Sequence, residues 1–236
     1  MSHATYPLRA GSSASRPRRG SAGPGSALWL AAVLVAALVL TWVLAELVPV
    51  FQARDEALLY HFTQLGGDRV HEAARVVIHL LDPLVFTLWA LALVAIAIAR
   101  GRPRVALAAA VVLAFAPIIA DRVKPLLAYH HSHVGRVYHG YASWPSGHST
   151  AAAALALCAV LIAPARWRRV VAFAGAAFVL LYGAALLVDA WHMPSDVLGG
   201  YLFAALWMAL AVAALRFAER RWPEGPEGRH EPRVSS

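Results

Sequence analysis

The number and length of the apolar segments constrain this chain more than any other feature. Six runs carry almost no charged side chains: residues 27–48, 84–99, 105–120, 150–163, 170–188 and 197–217. The lengths of these runs are near the ~20 residues that an α-helix needs to cross a bilayer. Hydrophobic residues make up 60% of the 236-residue chain, which is too apolar for a soluble domain of this size. We therefore predict an all-α fold, an integral membrane six-helix bundle.

Polar segments flank and interrupt the predicted membrane domain, which we place at residues 27–218. Residues 1–26 are rich in Ser, Gly, Pro and Arg, which predicts a disordered tail, and residues 219–236 form a second tail. The first apolar run is too long for a cleaved signal peptide, so we expect it to remain as an anchor. Residues 51–82 interleave apolar and charged side chains, which predicts an interfacial helix or a helical hairpin after the first span.

The basic residues predict the orientation of the bundle. If the amino terminus is cytoplasmic, fifteen of the 21 Lys and Arg side chains fall in cytoplasmic segments and six fall outside. This asymmetry places both termini in the cytoplasm of a multi-pass cell-membrane protein. The arginines lie in short clusters beside apolar runs and form no nucleic-acid-binding face, so we expect no nucleic-acid partner.

Three polar patches then fall on the extracytoplasmic face: residues 121–124, 130–148 and 189–196. In the second patch, Ser146, Gly147 and His148 directly precede an apolar run, with Ser149 or Thr150 as the expected N-cap. Free N–H groups and the dipole at a helix start favour an anion. The alternative is a solvated loop in which His148 has no chemical role.

The third patch contains a histidine and an aspartate at helical spacing. His192 and Asp196 are four residues apart, so the carboxylate can hold one imidazole nitrogen and make the other a better nucleophile or base. Pro194 suits the first turn of a helix. The alternative is that Ser195 and Asp196 only cap that helix.

The first patch contains Lys124, which is either a cation of the site or a side chain that reaches the membrane interface. Four histidines follow it in the next loop, at positions 130, 131, 133 and 139. Neither Cys nor carboxylate accompanies them at zinc-like spacing, and no HExxH pattern occurs, although a metal site stays open as an alternative.

The order of these elements resembles the type 2 phosphatidic acid phosphatase family. That family has the motifs Lys-x6-Arg-Pro, Pro-Ser-Gly-His and Ser-Arg-x5-His-x3-Asp. The segments "PSGH" and "HMPSDVLGG" match the second and third motifs well. The first motif departs, because His131 and Ser132 stand where Arg-Pro would be, and the third has Ala185 and Leu186 in place of Ser-Arg. Arg136 is the candidate replacement for a missing arginine.

The resemblance implies a metal-independent hydrolase of lipid phosphates that requires no cofactor. His192 would attack phosphorus and form a phosphohistidine, Asp196 would orient it, and His148 would act as acid and then as base. The phosphate would be bound by Lys124, Arg136 and the N–H groups near Ser146 and Gly147, with His131 as a further candidate.

Several substrates and two other functions remain open. The expected substrate is a lipid phosphate or diphosphate in the outer leaflet: a polyprenyl diphosphate first, with phosphatidic acid and phosphatidylglycerol phosphate as competitors. The expected partners are this substrate and membrane lipids, and the sequence leaves the oligomeric state undetermined. A phosphotransferase on the same scaffold is one alternative. A catalytically degenerate lipid-binding membrane protein is the other, favoured by Leu186.

Overall fold

A computed structural model describes residues 23–65, 67–127 and 144–223, and these residues form eight α-helices. In chain order the helices are α1 (Pro24–Leu47), α2 (Pro49–Thr63), α3 (Asp68–His79), α4 (Pro83–Ala99), α5 (Pro103–Leu127), α6 (Gly147–Ile162), α7 (Arg168–Val188) and α8 (Pro194–Arg221). Five of them begin with proline, whose fixed φ suits the first helical position and whose missing N–H costs nothing there.

Six of these helices coincide with the six predicted spans, so the all-α membrane bundle is confirmed. Helices α1, α5, α7 and α8 are long and apolar enough to cross a bilayer, and α3 and α4 pass the same test as a pair bent by 51°. Helix α6 is shorter, with 16 residues. Most of the mixed segment 51–82 is helical and forms α2 and α3.

Two helices extend beyond the predicted limits of the membrane domain, which stay a prediction. Helix α1 begins at Pro24, inside the predicted tail, because this proline starts the helix and the apolar run continues it. Helix α8 continues to Arg221, beyond the predicted end of the membrane domain at residue 218. Basic side chains in that last turn favour the helix, since they interact with its negative C-terminal end.

Helix α6 lies inside the bundle and contacts α4, α5, α7 and α8. Its buried face is built from small side chains, and Ala152, Ala154 and Cys158 have no exposed surface. Small side chains allow membrane helices to approach closely. The outer helices instead expose large apolar side chains such as Trp29 and Phe173, 73% and 76% exposed, as expected for surfaces that face lipid.

Candidate active site

The Pro-Ser-Gly-His segment forms the turn into α6. Its Trp144–Pro145 peptide bond is cis. Ser146 is the N-cap, because its hydroxyl accepts a hydrogen bond from the Ser149 N–H at 3.2 Å. The predicted N-cap, Ser149 or Thr150, was therefore wrong: the helix starts earlier, and both residues lie fully buried in its first turn. This turn is packed inside the bundle and is no solvated loop.

The turn that carries His192 begins with a Schellman motif at the end of α7. Ala190 has the positive φ of 55°, and the Trp191 N–H donates to the Leu186 carbonyl at 2.9 Å. This reversal directs the chain back across the end of the bundle. Trp191 and His192 follow it, and α8 begins at Pro194.

Asp196 both caps α8 and faces the histidine. Its Oδ2 accepts a hydrogen bond from the Met193 N–H at 2.8 Å and lies 3.6 Å from Nδ1 of His192. Both side chains are buried, with 6% of His192 and 3% of Asp196 exposed. The capping role and the orienting role, which the sequence offered as alternatives, are thus compatible in one carboxylate.

The structure brings the two histidines together. The ring centroids of His148 and His192 are 5.8 Å apart, and the rings are tilted by 55°. A backbone hydrogen bond of 3.0 Å from the Ser146 N–H to the Asp196 carbonyl ties the two turns to each other. The exposed Trp191 packs edge-on against His148, with ring centroids 5.4 Å apart.

Lys124 and Asp121 complete the described part of the site. Lys124 Nζ forms an ion pair with Asp121 Oδ1 at 2.5 Å, one helical turn away on α5. The Asp121 carboxylate lies against the Cα of Gly147, where any Cβ would collide with it. A larger residue here would have to displace this carboxylate, and glycine leaves an anion free to lie at the start of α6.

Two candidate phosphate ligands, His131 and Arg136, lie outside the described residues. The position of the missing third-motif arginine can be examined. Leu186 has no exposed surface and belongs to an apolar cluster with Leu59 and Tyr182. This position supplies packing to the bundle and no cation to the site.

Two acidic residues near the site, Asp121 and Asp55, were not predicted as site residues from the sequence. Asp121 could have been found from its three-residue spacing to Lys124, which places both on one face of a helix. Asp55 had no comparable signal, because only the tertiary structure brings it to the start of α8.

In the part of the chain that the structure describes, no three His, Cys, Asp or Glu side chains are grouped closely enough to hold a metal ion. The histidine-rich loop falls within residues 128–143, which are not described.

Comparisons with known proteins agree with the fold. A solved structure, described as the first transmembrane PAP2 type phosphatidylglycerolphosphate phosphatase from Bacillus subtilis, superimposes with a TM-score of 0.63. The match covers 85% of this chain and 99% of that one, at 20% sequence identity. No curated protein sequence matches the chain. The family model of the PAP2 superfamily matches residues 28–220. Because this match spans the whole helical bundle and both histidine turns, the chain is a multi-pass membrane protein that belongs to the PAP2 superfamily.

Proposed function

We propose that this protein is a phosphatase that hydrolyses a lipid phosphate or diphosphate through a phosphohistidine intermediate. The observation that carries the proposal is the buried pair of His192 and Asp196, 3.6 Å apart, with the His148 ring beside it. Nucleophilic catalysis by an imidazole needs this arrangement of a carboxylate, a nucleophile and a separate proton carrier.

In the first step, Nε2 of His192 attacks phosphorus in line with the leaving oxygen. Asp196 faces Nδ1, so it favours the tautomer with a proton on Nδ1 and a lone pair on Nε2. The 3.6 Å separation is long for a hydrogen bond, and such contacts commonly tighten when substrate binds. As the P–O bond breaks, His148 donates a proton to the departing oxygen.

In the second step, water attacks the phosphohistidine. His148, now neutral, takes a proton from that water, and the P–N bond breaks to release inorganic phosphate. The same two histidines therefore return to their starting protonation states. The fixed cations of the site stabilise the negative charge on the phosphoryl oxygens, so the mechanism requires no metal.

The phosphate oxygens are assigned to Lys124, to Arg136 and to backbone N–H groups at the start of α6, with His131 as a further candidate. The Ser146 N–H donates to the Asp196 carbonyl, so its contribution is structural. The N–H groups of Gly147 and His148 have no acceptor within the helix, because they belong to its first turn. An incoming phosphate would displace the Asp121 carboxylate from Lys124 and from this helix start.

The substrate is assigned to the lipid phosphates of the outer leaflet. A polyprenyl diphosphate is the first choice, and phosphatidic acid and phosphatidylglycerol phosphate compete with it. The similar Bacillus subtilis structure, described as a phosphatidylglycerolphosphate phosphatase, supports this class. The orientation with both termini in the cytoplasm would open the site extracytoplasmically. Lipid tails would lie along the apolar outer faces of the bundle.

The test is phosphate release from a panel of these lipids by the purified full chain in detergent. Release that is unaffected by chelator, inhibited by vanadate and abolished in His192→Ala supports the proposal, and Asp196→Asn should retain more activity than His192→Ala. Activity that chelator removes and a divalent metal restores would contradict it. Phosphate transfer to an added alcohol instead of water would identify a phosphotransferase, and lipid binding without turnover would identify a degenerate relative.

A further inference from the structure

The first turn of α8, which carries Asp196, is also held by a residue from outside the two histidine turns. Asp55 of α2 accepts hydrogen bonds from Ser195, from the backbone N–H at 3.1 Å and from the hydroxyl at 2.5 Å. Ser195 directly precedes Asp196 in the first turn of α8. A carboxylate at the positive end of a helix that also accepts two hydrogen bonds is well stabilised there.

The burial of Asp55 is unusual for its helix. Asp55 and Leu59 are the buried residues of α2, and the rest of this helix is half-buried or exposed. Leu59 packs into the apolar cluster that contains Leu186. Burying a carboxylate is costly unless hydrogen bonds compensate for lost hydration, so α2 is held at this place by a specific polar contact.

We propose that Asp55 is a positioning residue for the reaction at His192. It fixes Ser195, and thereby the first turn of α8, in which the Asp196 carboxylate faces the His192 ring. Two further hydrogen bonds, from Met193 and from Ser146 to Asp196, hold the same turn from other directions. In this proposal Asp55 acts through the geometry of the pair formed by His192 and Asp196. This inference rests on the proposed phosphatase activity.

The effect follows from the sensitivity of an in-line attack to the placement of the nucleophile. Asp55→Ala should lower kcat by about tenfold or more, because a small misplacement of reacting groups is costly, while KM stays within about twofold. Glu56→Ala, the next acidic residue of the same helix, is the matched control and should resemble the parent. Adding Ser195→Ala to Asp55→Ala should cost little more, because both changes remove the same contact.

A second readout is independent of turnover. Hydrogen exchange of the full chain in detergent should speed up in the peptide covering residues 190–197 in Asp55→Ala and remain at the parent rate in α5 and α6. Leu59→Ala loosens the apolar contact of α2 and serves as the structural control, with kcat reduced less than in Asp55→Ala. If Asp55→Ala does not fold, Ser195→Ala, which removes only the hydroxyl donor, should lower kcat severalfold.

The outcomes separate the two proposals. A parent protein without phosphate release would refute the phosphatase, whatever the exchange data show. An active parent would refute the role of Asp55 if Asp55→Ala matched Glu56→Ala in kcat and in local exchange. The role would also be refuted if Leu59→Ala reproduced the full loss of kcat, or if Ser195→Ala had parent-like kcat where Asp55→Ala is unfolded.

Discussion

At the residue scale, one carboxylate serves the fold and, in the proposed mechanism, the chemistry as well. Asp196 accepts from the Met193 N–H and so caps α8, while the same Oδ2 faces Nδ1 of His192. The capping bond holds the carboxylate in one rotamer, which reduces the entropy lost when it orients the imidazole. Among the described residues, Leu186 stands where the third motif has an arginine, and the cation Lys124 is paired with Asp121.

The first prediction concerns Arg136, the candidate replacement for the missing arginine. A transferring phosphoryl group spreads charge over several oxygens, and a guanidinium can bind two of them while lysine acts as a point charge. Arg136→Ala should lower turnover by roughly a hundredfold, comparable to losing one oxyanion donor, and Arg136→Lys should recover part of it. Steady-state kinetics of both variants measure this. Turnover of Arg136→Ala within about twofold of the parent, under half a kcal/mol in barrier, would assign the role elsewhere.

The second prediction concerns Asp121, which competes with phosphate for Lys124 and for the start of α6. Asp121→Asn removes the negative charge and keeps the size of the side chain. It should lower KM and the inhibition constant of inorganic phosphate by roughly twofold to fivefold, as expected for a partly exposed ion pair. Asp68→Asn, at the exposed start of α3, is the control for a general charge effect. A raised KM in Asp121→Asn would show instead that Asp121 holds Lys124 for the substrate.

At the scale of the elements, the ends of helices build the site and their middles build the bundle. Every described site residue lies in the last two turns of α5, at the start of α6, in the α7–α8 connection or in the first turn of α8. Helix ends leave N–H and carbonyl groups without helical partners, which makes them useful for binding and for sharp changes of direction. The α7–α8 connection changes direction through Ala190 in the left-handed region.

The third prediction tests the strain at Ala190. A side chain at a φ of 55° is disfavoured relative to glycine, the usual residue at this position of a Schellman motif. Ala190→Gly should therefore raise the stability by about 1 kcal/mol. The matched control is Ala184→Gly, within α7, which should lower it by about as much. Thermal unfolding in detergent measures both. Equal destabilisation by the two changes would show that Ala190 is not strained.

At the scale of the whole molecule, the candidate site residues lie together at one end of the bundle. Lys124, His148 and His192 come from three separate segments, and the buried small residues of α6 let those segments meet. The outer helices expose large apolar side chains such as Trp29 and Phe173, which suits contact with lipid. A site at one end of such a bundle acts on head groups at one face of the membrane, so its orientation decides which leaflet it serves.

The fourth prediction tests that orientation, which rests on the distribution of Arg and Lys. Single cysteines are placed in a Cys158→Ala background, since the natural cysteine is buried. Gln64→Cys, in the exposed turn after α2, should react with a membrane-impermeant thiol reagent in intact cells. Ala165→Cys, in the exposed turn after α6, should react only after permeabilisation. The reverse pattern would turn the site to the cytoplasm.

The sequence by itself determined the spans and the pairing of histidine with aspartate, because both depend on residues that are close together along the chain. Apolar run length located six helices, and the four-residue interval placed Asp196 next to His192. Only the tertiary structure decided that Asp55 meets Ser195, 140 residues away along the chain, or that Asp121 lies against Gly147. It also decided that Ser146 is the N-cap. The contacts of Asp55 and Asp121 join distant segments, and their formation depends on how the helices pack, which no local pattern specifies.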